Sequence, residues 1–132
     1  MVKNYQTVRH PAELITAIHI PMLNPGPCRQ DFYKLGRRNA LNITRLSAAL
    51  LLRQDDRGCL DVCRFACGAL FNRPMRLPFL EQEIIGKRPS PGLIMPLLPK
   101  WAETIDQAIG NRWSSAYKKQ AFINITKTLF EG

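Results

Sequence analysis

Acidic residues are scarce in this chain. Ten Asp and Glu stand against nineteen Lys and Arg, leaving a net charge of +9 and a pI near 9.9. The excess of cations calls for an anionic partner or a solvated basic face. Histidine is nearly missing, with only His10 and His19. Catalysis by a histidine cluster and metal binding through paired histidines therefore have little to build on, and a structural or surface role for His19 is favoured over a catalytic one. No Gly-x-Gly-x-x-Gly, no Gly-Lys-Ser/Thr phosphate loop and no Gly-x-Ser-x-Gly elbow occurs. No apolar run reaches the ~18 residues needed to span a bilayer. The first twenty residues also lack the basic, apolar, small-residue order of a signal peptide, so a soluble, cytoplasmic protein is expected.

The basic residues come as separate pairs: Arg37-Arg38, Lys87-Arg88 and Lys118-Lys119. They form no stripe interleaved with aromatics, and no zinc-finger or RNA-binding aromatic motif accompanies them. Charge-driven nucleic-acid binding remains a third reading, behind a solvated face or an acidic protein partner.

Four cysteines remain to be placed. Cys59, Cys63 and Cys67 repeat every fourth residue, with Cys28 remote. On a helix that spacing gathers three thiols on one face, a trap for metal or an iron–sulfur cluster. On a strand the thiols also share a face but stand about 13 Å apart, beyond any common ion. The turn residues before Cys59, together with Val62, Phe65 and Ala69, favour the strand. Ordinary buried thiols in a reducing compartment are expected, and no metal.

What is present reads as a single domain of 132 residues, 45% hydrophobic and 22% charged, a globular balance. Residues 31–76 carry its centre. A basic loop containing Gly36, Arg37 and Arg38 leads into an apolar run over 43–52. A turn at 54–58 follows, then a second apolar run over 59–70, and together they predict a β-hairpin. The alternative for 43–52 is a helix, because Ala and Leu are good helix formers. Two further strands are expected, at 13–20 from the alternation of Leu14, Thr16, Ile18 and Ile20, and at 32–35. Pro21, Pro25 and Pro27 make the segment between them a loop, and Pro74 ends the sheet.

Three helices then follow. Residues 77–85 place Leu77, Leu80, Ile84 and Ile85 inward and Glu81 and Glu83 outward, with Gly86 as the cap. Residues 93–109 repeat Ile94, Leu97, Leu98, Trp101, Ile105, Ala108 and Ile109 at helical spacing, with a regular start near Pro99. Residues 116–130 turn Tyr117, Ala121, Phe122, Ile125 and Leu129 inward, with Ser114 or Ser115 as the cap. Strands before helices predict an α+β sandwich, an antiparallel sheet of three to four strands with three helices packed on one face. Residues 12–132 form that domain, and 1–11 a residual N-terminal segment.

One polar cluster stands out: Tyr33, Lys34, Arg37 and Arg38, beside a glycine at a strand end. Arg and Lys there could grip an anion or cover an aromatic cofactor. A solvated turn is the plainer reading.

The segments as a series resemble the C-terminal domain of the FAD-binding medium subunit of molybdenum hydroxylases, the family of xanthine dehydrogenase and carbon monoxide dehydrogenase. The resemblance runs through Glu13-Leu14-Ile15-Thr16-Ala17-Ile18-His19-Ile20-Pro21, then Tyr33-Lys34-Leu35-Gly36-Arg37-Arg38, and then Arg64-Phe65-Ala66-Cys67-Gly68 with Pro74-x-Arg76. It ends with Glu83-Ile84-Ile85-Gly86-Lys87 and with Arg112-Trp113-Ser114-Ser115-Ala116-Tyr117-Lys118. It implies a flavoprotein oxidoreductase component that passes electrons from an iron–sulfur subunit to FAD, beside a molybdopterin subunit. It also implies that Lys34, Arg37 and Arg38 cover or tune the flavin, with Tyr33 packing beside it. Two departures stand against the family pattern. The glycine-rich loops that hold the FAD pyrophosphate are absent, and Asn42 stands where relatives often carry an acid. FAD binding is therefore expected only with an FAD-binding partner chain. A non-enzymatic interaction module of the same fold, including a homo-oligomer, is the alternative.

Overall fold

The structure, a computed structural model, describes residues 8–22, 26–36, 43–110 and 115–131. Four antiparallel strands lie in sequence order, β1 (Cys28–Gly36), β2 (Thr44–Gln54), β3 (Leu60–Gly68) and β4 (Met75–Arg76). Three helices follow, α1 (Pro78–Ile84), α2 (Leu98–Ile109) and α3 (Ser115–Glu131). The predicted α+β order, strands and then helices, is the order observed.

The β2–β3 hairpin closes as its sequence dictates. Asp55 Oδ1 accepts from the amides of Arg57 at 2.9 Å and Cys59 at 2.8 Å, and Gly58 takes φ +76°, which a β-carbon disfavours. Alternation on β2 separates the two faces: Leu46, Ala48, Leu50 and Leu52 are buried, while Ala49 is exposed and Ser47 and Leu51 half-buried. Cross-strand partners share a face, so Phe65 opposite Leu50 and Cys67 opposite Ala48 complete the covered side.

The helices cover that side alone. Helix α3 packs on β1 and β2, α1 packs on β3, and α2 packs on α3. A relay of tilted rings ties the layers. Phe65 meets Phe122 at 6.3 Å and Phe130 at 5.8 Å, and Phe130 meets Trp101 at 6.4 Å. Arg29 of β1 clasps the far end of α3, donating to the carbonyls of Leu129 and Phe130 and satisfying oxygens the helix leaves open. Helix α2 begins at Leu98 with Pro99 in its first turn, and Gly110 ends it at φ +70°. Residues 93–97 before it form turns bonded three residues back, because Pro96 and Pro99 interrupt a longer helix.

Several expectations are corrected. Residues 13–20 carry the alternation of a strand but form no regular element and pair with no strand of this sheet. The strand expected at 32–35 begins earlier, at Cys28. Pro74 does not end the sheet; Met75 and Arg76 add a short fourth strand against Cys67 and Ala66, since proline at a strand start withholds no needed donor. Ile85, Ala108 and Tyr117 face solvent rather than the core, whereas Ala102 is buried. Glu81, expected outward, is 3% exposed. The capping role predicted for Ser114 or Ser115, and Asn42, fall outside the described residues and side chains.

Candidate functional site

The sheet leaves its second face free of helices. Read across the strands, that face is built in rows: Lys34–Ser47–Gly68, then Phe32–Ala49–Ala66–Arg76, then Gln30–Leu51–Arg64. Small side chains run down its middle. A β-carbon on Gly68 would stand 2.6 Å from Ser47 Oγ, so glycine is what lets the Ser47 hydroxyl lie there. The result is a shallow trough of small residues, with Lys34 and Phe32 along the β1 side and Arg64 and Arg76 along the other.

The predicted cluster divides. Tyr33 lies opposite Ala48 and shares the helix-covered face, at its half-open rim, while Lys34 lies opposite Ser47 in the trough. A strand's period of two sends neighbours to opposite sides, so these two side chains leave the sheet on opposite faces. Arg37 and Arg38 lie outside the described residues. Lys34 is exposed.

Two residues beyond that cluster hold the site's far border. Arg76 donates Nε to Glu81 Oε1 at 3.0 Å and a second nitrogen to Glu81 Oε2. The same Glu81 Oε1 accepts the Phe65 amide at 2.9 Å. In an antiparallel ladder that amide seeks a carbonyl from the next strand, but the chain has already turned into α1, where Leu77 O serves Leu80 and Glu81. A carboxylate takes the missing place. The bond to Glu81 raises the Arg76 pKa. Glu81 escaped the sequence reading because its role depends on a backbone group sixteen residues away. The only available signal was its position three residues after Pro78 at a helix start.

A second pair, Arg53 and Asp61, lies beyond Gln30–Leu51–Arg64. Their hydrogen bond raises the arginine and lowers the aspartate pKa. At the opposite end, Lys118 Nζ donates to Ala69 O at 2.6 Å, holding a non-glycine residue at φ +61° just after Gly68.

Two of the cysteines are buried in the sheet. Burial pushes the Cys63 thiol up to about 12, aided by the negative charge of Glu81, and burial pushes Cys67 to about 12 as well. Such thiols are neutral at physiological pH and poor ligands. Among the described residues no group of three His, Cys, Asp or Glu side chains could hold a metal ion. A groove of about 410 Å3 lies between α2 and α3, on the helical side, away from the trough.

The same fold occurs in solved redox enzymes. Reconstituted CO dehydrogenase from Oligotropha carboxidovorans matches with a TM-score of 0.74 at 20% identity, over 96% of this chain and 43% of that one. Quinoline 2-oxidoreductase from Pseudomonas putida 86 matches with a TM-score of 0.61 at 19% identity, over 78% and 35%. The glyceraldehyde dehydrogenase medium chain of Sulfolobus acidocaldarius is 25% identical over 127 residues, 96% of this chain and 44% of that protein. This chain thus spans under half the length of these relatives. The profile of the CO dehydrogenase flavoprotein C-terminal domain matches residues 31–132. The chain belongs to that family.

Proposed function

We propose that this chain serves as the C-terminal part of a molybdenum-hydroxylase flavoprotein unit, assisting FAD-mediated electron transfer when it is joined to an FAD-binding partner. In that setting an iron–sulfur subunit and a molybdopterin subunit complete the complex, in the cytoplasm. Among the described residues no helix is long and apolar enough to cross a membrane.

The observation that carries this reading is the trough at Lys34–Ser47–Gly68. A planar heteroaromatic ring needs a flat floor without protruding side chains, and Ser47, Ala49, Ala66 and Gly68 supply one. A ring that carries a phosphate chain or takes up electrons gains from nearby cations. Lys34 is placed for this, and Arg37 and Arg38 are its neighbours in sequence. The trough fits one face of such a group and does not enclose it, so the partner holds the cofactor. FAD, when bound by that partner, supplies the redox chemistry; this chain covers the ring, excludes water from it and biases its charge. Tyr33, on the opposite face, acts by packing behind Lys34 rather than by touching the ring.

A second reading rests on Phe32, which is 69% exposed in the trough. An aromatic ring held so openly beside Ala49 and Ala66 suits a docking surface with no redox role. The two readings separate on the flavin's own signal. The chain purified with an FAD-binding partner is expected to shift the flavin's fluorescence and reduction potential, and Lys34→Glu is expected to reverse part of that shift. A complex that forms while the flavin's potential stays the same with and without this chain leaves only the docking role.

A further inference from the structure

Residues 14–22 form the most exposed apolar segment of the described chain. Leu14, Ile15, Ile18, Ile20 and Met22 are 70–94% exposed. A turn fixes where the segment starts: the His10 amide donates to Glu13 Oε2 at 2.7 Å, and the Glu13 amide to His10 O at 2.9 Å. Beyond it, residues 14–22 form no regular element and make no hydrogen bond to the other described residues. Yet the segment has the composition of a strand. Leu14, Thr16, Ile18 and Ile20 alternate with Ile15, Ala17 and His19, and Pro21 ends the run. Seven residues reach about 23 Å, the length of an ordinary strand. An isolated strand with bare donors, bare acceptors and exposed branched side chains is half of a pairing.

What supplies the other half follows from two boundaries. The family profile of the C-terminal domain begins at residue 31. The match to the Sulfolobus medium chain takes in 127 residues, 96% of this chain, and so includes most of the arm ahead of that domain. The arm is therefore similar to a part of the medium chain that lies ahead of the stretch the family profile covers.

We infer that residues 14–20 are a donated β-strand that adds to an open sheet edge of the FAD-binding partner. This inference rests on the proposed function, since it takes the partner from there. Main-chain hydrogen bonds then supply affinity, and the alternating Leu14, Ile18 and Ile20 side chains fill pockets that select the partner. The trough and the arm grip at two separate points, tethered by the short proline-bearing link over 21–27, so each raises the effective concentration of the other.

The test uses the full chain, tagged and purified with the flavin-binding chain that accompanies it, identified by FAD absorbance and by mass. Amides along 14–20 are expected to exchange freely in the isolated chain and to slow on alternate residues in the complex. Successive N–H groups of a strand point to opposite sides, so one of Ala17→Pro and Ile18→Pro removes a ladder donor. That variant is expected to bind at least about tenfold more weakly, with the melting temperature of the isolated chain unchanged because the arm touches none of its core. Unprotected arm amides in an intact flavin complex, with both proline variants binding as wild type, overturn the donated strand and leave the covering function standing. A chain that meets no flavin protein at all overturns both. Arm protection that appears only with dimerisation of this chain, at twice 15.1 kDa, assigns the strand to a second copy and overturns the inference.

Discussion

The amide of Phe65 donates to the carboxylate of Glu81 at 2.9 Å, across sixteen residues of sequence. One side chain thereby finishes the ladder that β4 is too short to finish, and it binds Arg76 at the same time. Removing either partner should be costly for different reasons. Glu81→Ala strands a buried N–H and should lower stability by about 2–3 kcal/mol. Arg76→Met leaves a buried carboxylate with one neutral donor and should cost about 3 kcal/mol. Urea unfolding of the double variant should show less than the sum of the two losses. Additive losses would contradict the shared bond.

Gly68 and Ser47 should be coupled through the space they contest. Gly68→Ala places a β-carbon 2.6 Å from Ser47 Oγ, and turning the hydroxyl aside should cost about 1 kcal/mol. Ser47→Ala in the same chain should recover that loss. Docking to an FAD-binding partner should not recover, because the trough floor stays raised. Stability measured by urea midpoint and affinity measured by titration will separate the two effects.

Glu83 should make the α1–α2 contact sensitive to acid. Its carboxylate binds Lys100 and accepts from Trp101 Nε1 at 3.2 Å, and the Lys100 bond lowers its pKa below 4.5. A group whose pKa is lower in the folded state stabilises above its unfolded value and stops doing so as pH falls through the folded one. The Trp101 indole N–H resonance should therefore shift below pH 4.5 and not between pH 5 and 8. Lys100→Met should move that change to higher pH.

The thiols should respond at the other end of the scale. Cys63 and Cys67 are raised from 9.0 to about 12, so the unfolded chain loses these protons first as pH rises. Stability should fall between pH 9 and 12. At pH 8 a thiol reagent should modify exposed Cys28 quickly, while Cys63 and Cys67 should react only after denaturant is added. Rapid labelling of four thiols in the native protein would refute the burial argument.

The central hairpin was legible because two signals agreed. Alternation along 44–54 and 60–68 named the buried side, and Asp55 and Gly58 named the turn. Glu81 was not legible, because a glutamate on an amphipathic helix defaults to solvent unless a backbone donor waits across the gap, and no residue type announces one. The arm shows a different limit. Its alternation states how 13–20 is built, but pairing belongs to two strands, and the second lies in no described part of this chain. Tyr33 and Lys34 were read as one cluster because they are adjacent. The strand that carries them separates neighbours by design, so adjacency was the wrong measure.

The substitution of a carboxylate for a strand at the β4 side has one more result. With Glu81 seated on the Phe65 amide, that border offers no template to an incoming chain, much as a terminated polymer end offers no site for the next unit. Accretion of further strands, whether in a native assembly or in a fibril seed, is left to the Cys28–Gly36 side.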